Sequence, residues 1–355
     1  MFKALEQALN QGPISVAQYM ELCLYDPDHG YYTTHNPLGA EGDFTTAPEI
    51  TPLFGKLLAR WVADAWFKLG QPTKFNLIEL GPGRGTLMAD MLTTLHGADT
   101  RIYDAARPHM VETSPALTKL QQKNLLPHKA EWHTTINGID FSTPSVVIGN
   151  EFLDAFPVEH YIYSRGQWRQ RMVAMENGRL CFVEGAVATP PLAPEEPKDG
   201  DIYEYSPGAM TYLEQLKGKL EKGYGLFLDY GYTEGHGDTL QAVKGHKKVD
   251  VFTQPGTADL TAHVNFDHVR HIWGDHTSHP TDMGVFLLNL GLAEVAMPLL
   301  EKLPDDQRAQ AESALTRLIH PSQMGKLFKA ISIHTNGLES AAAVQLPLSN
   351  HQKAG

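Results

Sequence analysis

Between residues 48 and 69 the apolar positions Leu53, Leu57, Leu58, Trp61, Val62, Ala65 and Trp66 recur at helical spacing and predict a helix. The period then changes. Residues 75–80, FNLIEL, form a short apolar run that leads directly into Gly81-Pro82-Gly83-Arg84-Gly85. A second helical pattern follows through Leu87, Met88, Met91, Leu92 and Leu95. Strand, glycine turn and helix make the first half of a βαβ unit. Further strands are expected at 109–112, 144–148, 223–230 and 328–334, with a helix over 115–123. This alternation predicts an α/β fold with a parallel sheet covered by helices on both faces.

Other stretches have a different texture. Residues 1–24 read as helix, with Pro13 and Ser15 starting a second piece. Residues 26–46 are rich in Gly, Pro, Asp, Thr and Tyr, the chemistry of a long loop. Segments 161–163, 168–175 and 180–183 alternate polar and apolar positions and are separated by Ser164-Arg165-Gly166 and Glu176-Asn177-Gly178. Asn-Gly is a strong hairpin signal, so an antiparallel insertion is expected here. Periodicity fades after 335. The expected organisation is an N-terminal helical and loop region (1–70), a sheet domain (71–158 plus 223–335), an inserted β-rich element (159–222) and a tail (336–355).

Composition narrows the function classes. With 42% hydrophobic and 20% charged residues, the chain is outside the range of wholesale disorder. At 355 residues it needs no metal or disulfide to fold, and no metal-ligand set is read from it. Its net charge is −12, and an acidic nucleic-acid enzyme requires a local basic groove. The densest basic stretches, His246-Lys247-Lys248 and the pair Arg169 and Arg171, suit solvated faces, so no nucleic-acid partner is expected. An acidic surface suits a neutral or basic substrate. Cys23 and Cys181 read as reduced thiols. No run of 18 apolar residues predicts membrane insertion. The opening MFKALEQ has no apolar signal region and no arginines, and a cytoplasmic location is expected.

The sharpest chemical signal is Glu79-Leu80-Gly81-Pro82-Gly83-Arg84-Gly85-Thr86. Alternate glycines let a backbone approach a ligand closely, and the following helix N-terminus turns free N–H groups toward it. A dinucleotide fingerprint requires glycine at the sixth position, where Thr86 stands, so NAD is disfavoured. No Lys follows Gly85, which excludes a phosphate loop. S-adenosylmethionine (SAM) has no phosphate and carries an ammonium that Glu79 suits. The expected cofactor site comprises Glu79, Gly81, Gly83, Gly85, Glu112, Thr113, Ser114 and Asn150. Glu112, ending the next strand, either binds the ribose hydroxyls or simply sits at a helix N-terminus.

Asn150-Glu151-Phe152-Leu153-Asp154 follows the most apolar strand, and the crevice beyond strand C-termini is where open α/β sheets bind ligands. Asn150 is not followed by Pro-Pro, which argues against base methylation in DNA. Glu151 and Asp154 could hold a guanidinium; alternatively Asp154 caps a helix and Glu151 pairs with a structural arginine. The loop holding Asp43 is either a lid over the cofactor or a structural Ω-loop. His263 is either a base or a core histidine.

Together these segments resemble the MidA family of SAM-dependent methyltransferases, which includes the mitochondrial complex I assembly factor with protein-arginine methyltransferase activity. The resemblance spans residues 15–335. It rests on Gly30-Tyr31-Tyr32, on Gly42-Asp43-Phe44-Thr45-Thr46-Ala47-Pro48-Glu49, on Glu79 to Gly85 and on Asn150 to Pro157. It also rests on Asp259-Leu260-Thr261-Ala262-His263-Val264-Asn265-Phe266 and on Pro321 to Gly325. It implies a class I, Rossmann-like methyltransferase sheet with an inserted substrate-side element. It further implies a protein substrate, an arginine of a respiratory-complex subunit in the mitochondrial relatives. Where the family usually has Asp-Phe, this chain has Asn265-Phe266, a lost carboxylate that either alters recognition of a cation or matters little. Position at the strand end makes Glu151 the expected catalytic residue, assisted by Asp43 or Asp154. Phe44, Thr45, Pro48, Glu49 and His263 are the expected substrate or lid residues. A small-molecule methyltransferase and a non-catalytic SAM-binding assembly factor are the alternatives.

Overall fold

The computed structural model describes residues 2–34, 46–233, 237–245 and 247–341. The chain divides into two units, each discontinuous in sequence: residues 46–152, 215–230 and 273–355 form one, and residues 1–45, 153–214 and 231–272 the other.

The first of these is built on seven strands of an eight-strand sheet, whose other strand, Val264–Asn265, pairs with Gly231 and Tyr232. The seven are β1 (Phe75–Leu80), β2 (Ala106–Val111), β3 (Glu131–His133), β4 (Ser145–Asn150), β5 (Gly223–Tyr232), β6 (Thr281–Asp282) and β7 (Phe328–His334), in the order β6-β7-β5-β4-β1-β2-β3. The pairings among β1 to β5 are parallel, whereas β7 runs antiparallel to β5 and β6 antiparallel to β7. Every residue of β1 and β4 is buried, which is why both read as continuous runs instead of alternating. Helix α1 (Pro52–Lys68) starts where Thr51 Oγ1 accepts the Leu53 N–H at 3.3 Å, with proline in its first turn. Its Leu57, Leu58, Trp61 and Val62 share a core with Leu87, Met88, Met91 and Leu92 of α2 (Thr86–Ala98). Each such buried side chain contributes roughly 1.5–3 kcal/mol. Helix α3 (Pro115–Asn124) lies between β2 and β3 in sequence and is capped by Ser114.

This topology places the site. From β1 the chain proceeds outward to β2 and β3, then returns to β4 on the other side of β1. Such a reversal opens a crevice beyond the C-terminal ends of β1 and β4. The glycine turn follows one of these ends and Glu151 the other.

In the second unit, Glu159–Ser164, Gln167–Glu176, Arg179–Val187 and Ile202–Tyr205 form the expected antiparallel sheet. Its tight turns fall at Arg165-Gly166 (φ 53° and 78°) and Asn177-Gly178 (φ 50° and 74°). Paired positive φ values match the twist of the flanking strands. A smaller sheet joins Gln241–Lys244 with Lys247–Val249 and Asp259–Thr261, a feature without a clear pattern in the sequence. Two N-terminal helices, Lys3–Asn10 and Val16–Tyr25, belong here, separated by Ile14–Ser15, which pairs with Val173 and Met172. The second helical piece expected from Pro13 and Ser15 starts at Val16, and the break before it holds a two-residue strand.

The units cross the boundaries expected from sequence. Residues 1–34 join the insertion because Leu5, Val16, Tyr19, Met20 and Leu24 share a core with Val158, Val173, Ala242, Ala258 and Leu260. Residues 231–272 depart from the sheet domain for the same reason. Among the described residues, no single helix is long and apolar enough to cross a membrane.

Candidate active site

The turn after β1 is held in left-handed backbone: Gly81, Gly83 and Gly85 have φ values of 60°, 53° and 80°. An added Cβ at Gly81 would come within 3.0 Å of the Phe152 ring, and one at Gly85 within 2.9 Å of Leu125 Cδ1. Both φ and close packing therefore demand glycine. Glu79, two residues before the turn, is buried, and its Oε2 has no hydrogen-bond partner among the described residues. Burial pushes its pKa up to about 8, with the Met88 amide opposing the rise. A buried carboxyl with one oxygen left without a partner beside a glycine cradle suits a ligand that brings its own cation.

Glu112 follows β2. Its Oε1 accepts the Ser114 N–H at 2.8 Å and its Oε2 the Gln121 amide at 3.1 Å. Burial raises its pKa, while the Ser114 amide and Gln121 work in the other direction. Each oxygen retains a lone pair for a ligand hydroxyl. Gln121, fully buried on α3, also donates to Gly83 O at 2.8 Å, tying the turn to Glu112. Asn124 Nδ2 donates to Arg84 O at 2.9 Å. Neither residue carries a signal in the sequence. Ser114, expected to touch the cofactor, uses its Oγ to accept the Leu117 N–H and cap α3, which leaves its hydroxyl proton for another acceptor. Thr113 beside it is exposed.

At the end of β4, Asn150 is buried with its Oδ1 unpartnered, while its Nδ2 donates to Glu151 Oε1 at 3.2 Å. Glu151 stands at φ 50°, strained for a residue with a side chain, and its Oε1 accepts the Ala47 N–H at 3.1 Å. Its own N–H donates to Leu228 O at 2.8 Å, and the next amide, Phe152 N–H, donates to Asp229 Oδ2 at 3.1 Å. The strand β5 residue Asp229 thus fixes the bend, a role the sequence did not announce. Pro48 is buried, and Glu49 accepts from Thr86 Oγ1 and lies 3.8 Å from Arg84 Nε. Both sit on the short helix Ala47–Ile50, where Glu49 braces the glycine turn.

The second unit brings other motif residues together. Tyr32 donates to Asp259 Oδ1 at 2.9 Å, joining the Gly30-Tyr31-Tyr32 motif to Asp259-Leu260-Thr261. The Tyr25 and Tyr32 rings lie 5.5 Å apart, and Tyr25 donates to Ala155 O at 2.8 Å. Burial first, then Asp259, Tyr25 and Asp154, hold the Tyr32 phenol above its usual range. Two carboxylates thus act on one pair of aromatic rings. Glu151 and Asp154, expected as partners, belong to different units. His263 lines a pocket with Phe156, Met210, Leu213, His268 and Val269, and its N–H donates to Thr239 Oγ1 at 2.8 Å. Asn265 Oδ1 accepts the Asp267 N–H at 3.1 Å at the start of helix Phe266–Trp273, a capping task that Asp performs equally well. Asp43, Phe44 and Thr45 lie outside the described residues.

Comparison with known proteins gives consistent findings. Residues 57–282 match the model of a family of S-adenosyl-L-methionine-dependent methyltransferases. The chain is 34% identical to the mitochondrial protein arginine methyltransferase NDUFAF7 homolog of Drosophila melanogaster, over 92% of this chain and 82% of that one. It is 33% identical to the mitochondrial protein arginine methyltransferase NDUFAF7 of Xenopus tropicalis, over 91% and 82% respectively. Its fold is similar to a Burkholderia thailandensis protein crystallised with S-adenosyl-homocysteine, with a TM-score of 0.79 and 28% identity over 95% of this chain and 92% of that one. The expectation of a cytoplasmic location is overturned by these matches, because the relatives are named as mitochondrial proteins. The lack of an apolar or arginine-rich opening did not reveal that.

Proposed function

The chain belongs to the family of S-adenosyl-L-methionine-dependent methyltransferases, with SAM as its cofactor, and on that premise we propose that it methylates an arginine side chain of a protein. The observation that carries the acceptor is the pairing of Asp154 and Asp259 around Tyr25 and Tyr32. Carboxylates and aromatic faces together suit a flat guanidinium, which takes hydrogen bonds at its edge and stacks on its face. The names of the relatives support the same class of acceptor. A respiratory-complex subunit is the proposed protein partner, from the family resemblance.

The residues at the sheet ends fit the cofactor. Glu79 would offer its buried, unpartnered Oε2 to the methionyl ammonium, and the amides at the α2 N-terminus would be donors for the methionyl carboxylate. Glu112 keeps lone pairs for the ribose hydroxyls, and Asn150 Oδ1 offers a free acceptor. Bound SAM supplies a methyl group on a sulfonium. Arginine is protonated at neutral pH, so the enzyme must orient a nitrogen lone pair and take up a proton. Glu151 is proposed for that task, held in strained backbone by the Leu228 and Asp229 contacts at the bend.

The test supplies SAM with a labelled methyl group to a lysate and analyses hydrolysed protein. Label in methylarginine, present with the wild type and absent with Glu151→Gln although that variant still binds SAM, supports the reading. Label confined to small metabolites refutes the protein acceptor. Unchanged turnover in Glu151→Gln refutes the role of Glu151.

A further inference from the structure

Apart from the cofactor crevice, the outer edge of the sheet brings three ligating side chains together. In the parallel pair β2 and β3, His109 lies opposite Glu131 and Val111 opposite His133. Alternate residues of a strand share a face, so His109, Glu131 and His133 all project to one side. His109 Nδ1 is 3.0 Å from His133 Nε2 and 3.9 Å from Glu131 Oε2, and the ligating atoms of all three lie within 4.8 Å of one another.

The hydrogen bonds around His109 fix its tautomer. Ser145 Oγ donates to Thr143 O at 2.8 Å, so it must accept from Asn76 Nδ2 at 3.0 Å. Asn76 Nδ2 also donates to Asp140 O at 2.9 Å. The Asn76 amide is thereby oriented, and its Oδ1 faces His109 Nε2 at 3.1 Å as an acceptor. The proton of a neutral His109 is on Nε2, and the lone pair on Nδ1 points at His133. A histidine whose far N–H is held by a fixed acceptor is the usual arrangement behind a metal ligand.

We propose that His109, His133 and Glu131 bind one divalent transition-metal ion of the zinc class. Two imidazoles on tetrahedral zinc stand about 3.3 Å apart, given metal–nitrogen bonds of about 2.0–2.1 Å. The pair is already near that spacing. Glu131 is exposed and free to swing the remaining distance, and water completes the shell. The second cluster of this kind, His160, Glu204 and Asp238, is already committed. Glu204 accepts from the Thr239 amide and hydroxyl and the Leu240 amide, while Arg171 pairs with Asp238 at 2.9 Å.

The ion would brace the edge that carries Glu112. The Glu112 N–H donates to His133 O at 2.9 Å, and Trp132 Nε1 donates to Gln121 Oε1 at 3.0 Å.

The experiment titrates metal-free full-length protein with Zn2+ against a chromophoric chelator. One equivalent should bind, with a dissociation constant below about 100 μM. His133→Ala and Glu131→Gln should each weaken it at least about tenfold, and Asp238→Asn should not. Circular dichroism of the apo variants, matching wild type, separates lost ligation from lost folding. Weaker wild-type binding, equal binding in the ligand variants, or loss in Asp238→Asn would overturn the assignment.

Discussion

Replacing Glu79 by Gln keeps the shape of a buried side chain and removes its ionisation. The folded, cofactor-free protein holds the Glu79 proton up to about pH 8, whereas an unfolded chain releases it near 4.5. The folded state therefore binds more protons than the unfolded state across that window. Stability from this group is fully present below about 4.5 and is lost as pH rises through about 8. The difference in pKa corresponds to about 5 kcal/mol, a large share of a typical folding free energy. Glu79→Gln carries no such penalty. Urea unfolding of the two cofactor-free proteins from about pH 5 to about pH 9 should show the variant gaining on wild type as pH rises. Saturating SAM should close part of that gap, because in the proposed site its ammonium would pair with the carboxylate in the wild type alone. Parallel stability curves at all pH values would refute the reasoning.

Three further expectations follow from the same geometry. Gly85→Ala forces a side chain into left-handed backbone 2.9 Å from Leu125 Cδ1 and should cost at least about 1–2 kcal/mol in thermal denaturation; calorimetry should also find S-adenosylhomocysteine binding lost, and retained binding would refute the cradle. Tyr32→Phe removes the hydroxyl that donates to Asp259, so the KM for the protein acceptor should rise severalfold while cofactor affinity stays constant; a shift in cofactor affinity alone would argue against an acceptor role. Asn265→Asp keeps the helix cap but places a charge beside His268, whose pKa burial lowers to about 4. Imidazole NMR should find that pKa raised, with overall stability changed by no more than about 0.5 kcal/mol, and an unmoved titration would refute the contact.

The proposed cofactor site is legible in the sequence as a local unit because its parts are adjacent: strand, acid, three glycines and helix occupy residues 75–98 without interruption. What supports them is not. Gln121 reaches Gly83 across 38 residues and Tyr32 reaches Asp259 across 227, and no local period encodes either. Glu49 sits within a motif read as a lid, but its hydroxyl partner Thr86 could be found only in three dimensions. The three-residue strand β3 is too short to show alternation, and with it the grouping of His109 and His133 stayed hidden. Ser114, beside Glu112, shows a task the sequence reading did not assign it: its oxygen caps the helix.

The threading of the second unit has a consequence for synthesis on the ribosome. Tyr19, Met20 and Leu24 complete their core only with Ala242, Ala258 and Leu260. At about 5–20 residues per second, those partners emerge on the order of ten to fifty seconds later. During that interval the apolar side of helix Val16–Tyr25 waits without these partners while β1 to β4 are being laid down. A nascent chain that contains this helix but has not reached Leu260 thus presents a sticky amphipathic helix. Stalled translation in this stretch is where the protein is most exposed to aggregation and most in need of a holdase.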